Sequence, residues 1–332
     1  MPKISIVMPS YNHGQWIGEA LDSILQQSYQ DFEIIIVDDG SSDNSSEVIQ
    51  AYTEQSSRIR GSVFSKNQGA CKVINHAISM AEGEYIALLN SDDLWLPNKL
   101  ERQMCVMEEN PELGAVFGLA LPINEHGHPL DKSELNVFAA SVVPRNRYEW
   151  MRYFILKGNC VCHPSILIRK ECYDHLGCYE PTLRSLPDFH MWVRLFYHYD
   201  IRVMNEPLIK FRLHRYNESD RGSVANKVRG DFEWHHIFKT MLGQIKSVEE
   251  LERIFPGIHF PVRDDRLVPI YFAFLLKSKP EKFAKAFALT TLQSSLQNPE
   301  LADLMEQNGI YSTLQLSVDV AESDIYRRFD CG

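Results

Sequence analysis

The feature that most constrains this chain is an alternation that runs through its first third. Short apolar runs occupy residues 4–8, 32–37, 62–64, 85–89 and 115–119. Between them, apolar residues recur at helical spacing. Ile17, Leu21, Ile24 and Leu25 form one such stripe, Ile74, Ala77, Ile78 and Ala81 another, and Leu100, Met104 and Met107 a third. Strand, helix, strand, helix with short connections predicts a parallel sheet with right-handed crossovers. A parallel strand covered on both faces is a continuous apolar run, and residues 32–37 and 85–89 are of that kind.

Polar chemistry begins where the runs stop. The first ends in Pro9-Ser10-Tyr11-Asn12, the second in Asp38-Asp39-Gly40-Ser41-Ser42-Asp43, and the run 85–89 in Asn90-Ser91-Asp92-Asp93. Parallel strands bring these ends to one edge, where open α/β sheets bind ligands. Ser-Asp-Asp is also ordinary turn chemistry. Two adjacent carboxylates with no basic sequence neighbour repel unless a cation neutralises them. A few hard oxygen ligands suit Mn2+ or Mg2+ shared with a phosphate. A carboxylate can also accept from the N3–H of a uracil-like base or from ribose hydroxyls. No G-x-G-x-x-G and no G-x-x-x-x-G-K-[ST] is present, which disfavours dinucleotide oxidoreductases and P-loop NTPases.

Past Leu121 the pattern loosens. Residues 122–147, with Pro122, Gly127, Pro129 and Pro144, read as a surface excursion. A helix is expected at 148–156, a strand at 163–168, a short helix ending at Gly177, a helix at 189–199, and strands at 201–204 and 208–213. Asp188 suits the N-cap of the helix from Phe189. Helices are expected at 227–245, 248–254, 267–277, 280–296 and 299–307. Residues 270–276 are apolar on nearly every face, which predicts the buried centre of that bundle, with a peripheral membrane contact as the alternative. The expected organisation is a domain of residues 1–222 followed by a helical region, 223–332.

The formal net charge of −10 argues against a nucleic-acid partner. No apolar run is long enough to span a membrane, and Met1-Pro2-Lys3 leads straight into a strand, so a cytoplasmic location is expected, with the inner face of the membrane as the alternative. The seven cysteines have no framework spacing, which suggests reduced thiols. Cys160, Cys162, His163, Cys172 and Cys178 cluster in sequence but match no zinc-module spacing, and they read as small buried groups.

Taken together, the strand-end motifs, Asn67-x-Gly69, Gly83-Glu84-Tyr85-Ile86, His163-Pro164-Ser165, Asp188 with Trp192 and Arg194, and Phe211-Arg212-Leu213-His214 resemble the family 2 glycosyltransferases of the GT-A fold. The resemblance covers roughly residues 3–220. It implies an α/β fold with a mostly parallel central sheet and inverting transfer from a nucleotide-diphosphate sugar, UDP-linked by preference, to a glycan or lipid-linked acceptor. By resemblance, Pro9, Tyr11, Asp39 and Asn67 hold the nucleotide, Asp92 lies near ribose or donor sugar, and Asp93 binds Mn2+ or Mg2+. Asp188 is the general base, His214 lies near the diphosphate or metal, and His163 is an acceptor-side candidate. Relatives often carry Asp at the position of Asn90 and an acidic residue at that of Pro187. Glycan or cell-envelope polysaccharide assembly is the expected setting, with a homo-oligomer through the helical region as a further expectation. A sugar-phosphate nucleotidyltransferase ranks low, because that class opens with a Gly-rich, Arg-containing loop after its first strand. A non-catalytic sugar-nucleotide-binding scaffold is the reading from another class.

Overall fold

The computed structural model describes residues 1–214, 224–323 and 325. The chain divides into two compact units, Met1–Arg147 with Lys157–Asp220, and Tyr148–Leu156 with Arg221–Gly332.

The first unit is organised on one eight-stranded sheet. Its strands are β1 (Ile4–Ser10), β2 (Phe32–Asp38), β3 (Ile59–Val63), β4 (Tyr85–Leu88), β5 (Leu94–Trp95), β6 (Leu113–Ile123), β7 (Leu167–Arg169) and β8 (Asp200–Arg212), in the order β3-β2-β1-β4-β7-β6-β8-β5. The expected parallel sheet is present in β3-β2-β1-β4. Beyond β4 the sheet becomes mixed, because β7 pairs antiparallel with both β4 and β6, while β6 and β8 run parallel. Helices α1 (Ile17–Leu25), α2 (Ser45–Gln55), α3 (Ala70–Met80) and α4 (Lys99–Glu109) connect the first strands. Ile17, Ala20, Leu21 and Ile24 of α1 pack in one core with Ile4, Ile6 and Met8 of β1 and Ile34 and Ile36 of β2. Each of the Ile, Leu and Met side chains contributes about 1.5–3 kcal/mol on burial. Gly83 lets β4 start against β1: a Cβ there would lie 2.6 Å from Ser5 N, and Gly83 N donates to Ser5 Oγ at 2.8 Å.

Several boundaries differ from the sequence reading. Residues 163–165 form a 3₁₀ turn before β7, because Pro164 fixes φ and offers no N–H to a ladder. The two strands expected at 201–204 and 208–213 are one strand, β8, kept continuous by register shifts opposite Phe117–Ala120. Within the excursion, Lys132–Val142 winds as 3₁₀ turns. Helices α5 (Arg147–Lys157), α6 (Lys170–Leu176) and α7 (Pro187–His198) complete the described helices before residue 214, and residues 148–156 of α5 fall in the second unit.

The second unit is helical: α8 (Val224–Gln244), α9 (Val248–Ile254), α10 (Val268–Lys277), α11 (Lys282–Leu296), α12 (Pro299–Gln307) and α13 (Thr313–Glu322). Ile270, Tyr271, Phe272, Ala273 and Leu276 of α10 are buried, as expected for the centre of the bundle. Phe238, Phe272 and Phe287 pack ring against ring beside it. The sequence reading omitted α13, whose Asp319 is held by Lys277 and Tyr311. Among the described residues, no helix is long and apolar enough to cross a membrane.

Candidate active site at the sheet edge

The C-terminal ends of β1, β2 and β4 are adjacent by strand pairing, and their loops are sewn together by side chains. Asn12, in the left-handed region at φ 54°, donates its N–H to Ser41 Oγ at 2.8 Å and accepts from Ser42 N at 2.9 Å. Gly14 N donates to Asp43 Oδ2 at 2.9 Å. Gly40 makes the turn after β2 possible, at φ +72° and with Lys66 Cα only 2.8 Å from where a Cβ would stand.

The two carboxylates of this turn do different work. Asp38 is fully buried and accepts from Ser41 N and Ser41 Oγ, so it shapes the turn. Asp39 accepts from Gln68 N at 2.7 Å and Gly69 N at 2.9 Å, and so fixes the loop that precedes α3. That bond brings Asn67, exposed and next in sequence to Gln68, to the same edge. Pro9 is half-buried at the end of β1, and Tyr11 is 43% exposed. Ser10 Oγ, beside them, is buried with no hydrogen-bond partner.

Asp92 and Asp93 are both buried, and the structure separates their roles. Asp93 accepts from Arg212 N at 2.8 Å and Asn90 Nδ2 at 3.1 Å, so both its oxygens face protein donors. Burial and the neighbouring Asp92 charge push its pKa well above the usual carboxylate range, and the Arg212 N–H offsets only part of this. Burial also works against a charged Asp92, but the His214 hydrogen bond and the two neighbouring imidazoles outweigh it and hold that carboxylate ionised. His214 Nε2 lies 2.9 Å from Asp92 Oδ2. The ligand atoms of Asp92, His214 and His13 all lie within 4.8 Å of one another. Asp93, expected from sequence as the metal ligand, is not in this group. Asn90 serves Asp93 as a neutral donor.

His13 and Trp16, which sequence reasoning did not single out, and Arg212, which it quoted only within the Phe211-Arg212-Leu213-His214 motif, hold this corner. His13 Nδ1 is 2.8 Å from Ser91 Oγ, and burial lowers the His13 pKa, favouring the neutral ring. Trp16 packs 4.3 Å from the His214 ring and donates Nε1–H to Glu125 O at 2.9 Å. Arg212 is 1% exposed and donates to Asp92 O at 2.7 Å, Glu125 O at 2.9 Å and Glu19 Oε2 at 2.8 Å. Nothing local in the sequence marks these contacts, although His13 directly follows Pro9-Ser10-Tyr11-Asn12.

Asp188 lies in the first turn of α7 rather than at its N-cap, which is Leu186. Asp188 is half-buried and accepts from Asn159 Nδ2 at 2.8 Å. Burial, with smaller contributions from the Asp93 and Asp188 charges, pushes the Cys162 thiol pKa up. Pro187 opens α7, a position where a missing N–H costs nothing. His163 Nε2 is 2.8 Å from Tyr179 OH, the ring packs on Trp192, and burial lowers its pKa to about 4. Cys160, Cys162 and Cys172 are buried and in no disulfide.

The family model "Glycosyl transferase family 2" matches residues 5–176. An uncharacterized glycosyltransferase of Methanocaldococcus jannaschii is 30% identical over 220 residues, 64% of this chain and 71% of the relative. One from Rickettsia felis is 26% identical over 97% of this chain, and this chain spans only 50% of that protein's length. Among solved structures, Staphylococcus aureus TarS in complex with UDP-GlcNAc superposes with TM-score 0.60 at 19% identity, over 99% of this chain and 94% of that one. A mannosyltransferase from Pyrobaculum calidifontis, in complex with GDP-Man and Mn2+, superposes with TM-score 0.58 at 17% identity, over 96% and 85%. At such identities the two structures speak to the fold. With its mixed sheet flanked by helices and a family match across more than half of its length, this chain belongs to glycosyl transferase family 2 and has the GT-A fold.

Proposed function

We propose that this chain transfers a sugar from a nucleotide-diphosphate donor, UDP-linked by preference, to an acceptor hydroxyl with inversion of configuration. The observation that carries the reading is one sheet edge where a loop-fixing Asp39 and an ionised, His-bonded Asp92 lie at the ends of paired strands. Pro9, Tyr11, Asp39 and Asn67 take the nucleotide. The exposed Tyr11 ring offers a face for the base, and Asp39 keeps lone pairs for a base N–H or a ribose hydroxyl. Asp92 and His214 face the diphosphate.

A divalent cation fits at Asp92 and His214, a carboxylate and an imidazole whose ligand atoms lie within reach of one another. When bound, it supplies positive charge to the departing diphosphate. Asp93 supports the corner from behind instead of ligating. Asp188, oriented by Asn159, accepts the proton of the acceptor hydroxyl. The acceptor oxygen bonds the anomeric carbon as the bond to the diphosphate oxygen breaks, and that oxygen keeps the electron pair. A single in-line attack leaves the anomeric centre inverted. His163, neutral and bonded to Tyr179, supports the wall around Trp192. Donors of the neighbouring solved structures, a UDP-sugar and a GDP-sugar, define the first panel, and Mn2+ is the first ion to test. Glycan or cell-envelope polysaccharide assembly, with a glycan or lipid-linked acceptor, is the setting the family suggests.

The test is a thermal-shift and turnover screen with UDP-, GDP- and dTDP-sugars, with and without Mn2+. Stabilisation by one nucleotide class together with slow donor hydrolysis is the expected result. No shift and no hydrolysis with any donor would remove the enzyme reading.

A further inference from the structure

We propose that His13 is a third metal ligand, making a site of two imidazoles and one carboxylate that prefers Mn2+, Co2+ or Zn2+ to Mg2+. This inference rests on the reading that a cation sits at Asp92. Its own grounds are four observations. The ligand atoms of His13, Asp92 and His214 come within 4.8 Å of one another without any movement. Ser91, fully buried, places Oγ 2.8 Å from His13 Nδ1, the kind of outer hydrogen bond that fixes ring orientation and tautomer at a metal. Trp16 lies against both rings, at 5.5 Å from His13 and 4.3 Å from His214, and limits their rotation. Asp93, the second carboxylate that an oxygen-rich site would use, is turned onto Arg212 N and Asn90.

The consequence follows from ligand chemistry. Mg2+ demands octahedral oxygen donors and sheds water reluctantly, so a single carboxylate with two nitrogens serves it poorly. Imidazole favours the later first-row ions, in the order Mn2+ below Co2+, and Zn2+ among the tighter. The His13 loop also carries Pro9 and Tyr11 and is tied to Ser41, Ser42, Asp43 and Ser45. An ion held by His13 therefore couples the nucleotide loop directly to the diphosphate corner. Ion and nucleotide then bind cooperatively.

The experiment is titration of the full chain with Co2+, Mn2+ and Mg2+, followed by visible absorption of Co2+ and by calorimetry, with and without UDP. The variants are His13→Ala, His13→Gln and Asp92→Asn, each checked for folding by circular dichroism. Wild type is expected to bind Co2+ and Mn2+ at least about tenfold more tightly than Mg2+, and His13→Ala to lose about tenfold or more of that affinity. NMR of wild type with Co2+ is expected to show two paramagnetically shifted imidazole N–H signals, a readout that survives if the variants fail to fold. One shifted imidazole, unchanged Co2+ affinity in His13→Ala, or Mg2+ binding as tight as Co2+ would overturn the inference while Asp92→Asn still abolished binding. No Co2+ or Mn2+ binding by wild type, even with UDP, would instead remove the cation at Asp92 altogether.

Discussion

Replacing Arg212 by Met probes the corner from outside its proposed ligands. The guanidinium is 1% exposed and donates to Asp92 O at 2.7 Å and Glu125 O at 2.9 Å. Methionine keeps much of the stem but neither donor. Asp92 O, left dry without its charged donor, costs about 1.5–3 kcal/mol, whereas Glu125 O belongs to an exposed residue and keeps the Trp16 Nε1–H. Loss of the cation 5.7 Å from the Trp16 ring adds about 0.5–1 kcal/mol. Glu19 is 58% exposed and returns to water, so its ion pair contributes little. The expected loss is about 3 kcal/mol, a large share of the 5–15 kcal/mol typical of a folded protein. Arg212→Lys keeps a single donor and should lose about half as much. The main-chain N–H of residue 212 still reaches Asp93 in both variants, so any loss of ion or donor affinity reports on the Asp92 carbonyl and the Trp16–His214 stack. Urea unfolding at 25 °C and calorimetry with Mn2+ and UDP give the two readouts. An Arg212→Met protein within about 1 kcal/mol of wild type, with unchanged affinities, would refute the reasoning.

Asp188→Asn should leave donor affinity intact and cut transfer by about 10²–10⁴-fold, measured by steady-state kinetics; unchanged transfer would take Asp188 out of the base role. Asp39→Ala removes the acceptor for Gln68 N and Gly69 N, so nucleotide affinity should fall, by calorimetry, more than kcat does. Gly40→Ala sets a side chain at φ +72° against the Lys66 backbone and should destabilise by about 1–3 kcal/mol or more in urea unfolding. His163 stays neutral in the folded protein down to about pH 4, whereas the unfolded chain takes up its proton near 6.5. The unfolded state thus binds more protons in that window, and stability falls as pH drops from 6.5 to 4, by up to about 3 kcal/mol. His163→Gln should flatten that slope in denaturation at stepped pH, and an unchanged slope would contradict it.

The strands and turns that form the candidate site's edge were legible because buried parallel strands leave continuous apolar runs and their ends collect Asp, Asn and Gly. What the sequence hid is tertiary. Asp92 and Asp93 look equivalent in the chain, and only the approach of Arg212 N and His214, about 120 residues later, separates them. His13 and Trp16 sit where a helix begins, with no spacing to distinguish a ligand from a packing residue. Helix α5 reads as an ordinary part of the first region, yet residues 148–156 pack with the second unit, a long-range partnership that no local pattern reports. The strand β8 reads as two because Glu206-Pro207 interrupts its apolar pattern, and register shifts against β6 absorb the break. Local propensity also misplaced 163–168, where β-branched and apolar residues outvoted Pro164.

The central claim is inverting transfer at the edge that carries Asp39 and Asp92, with Asp188 as the base. Time-resolved proton NMR of donor turnover tests it most directly, with the sugar nucleotide identified in the screen, Mn2+, and wild type beside Asp188→Asn. The account predicts that the first-formed product has the anomeric configuration opposite to the donor's, and that Asp188→Asn binds donor without forming it. A first-formed product that retains the donor's configuration, or full turnover by Asp188→Asn, would contradict it.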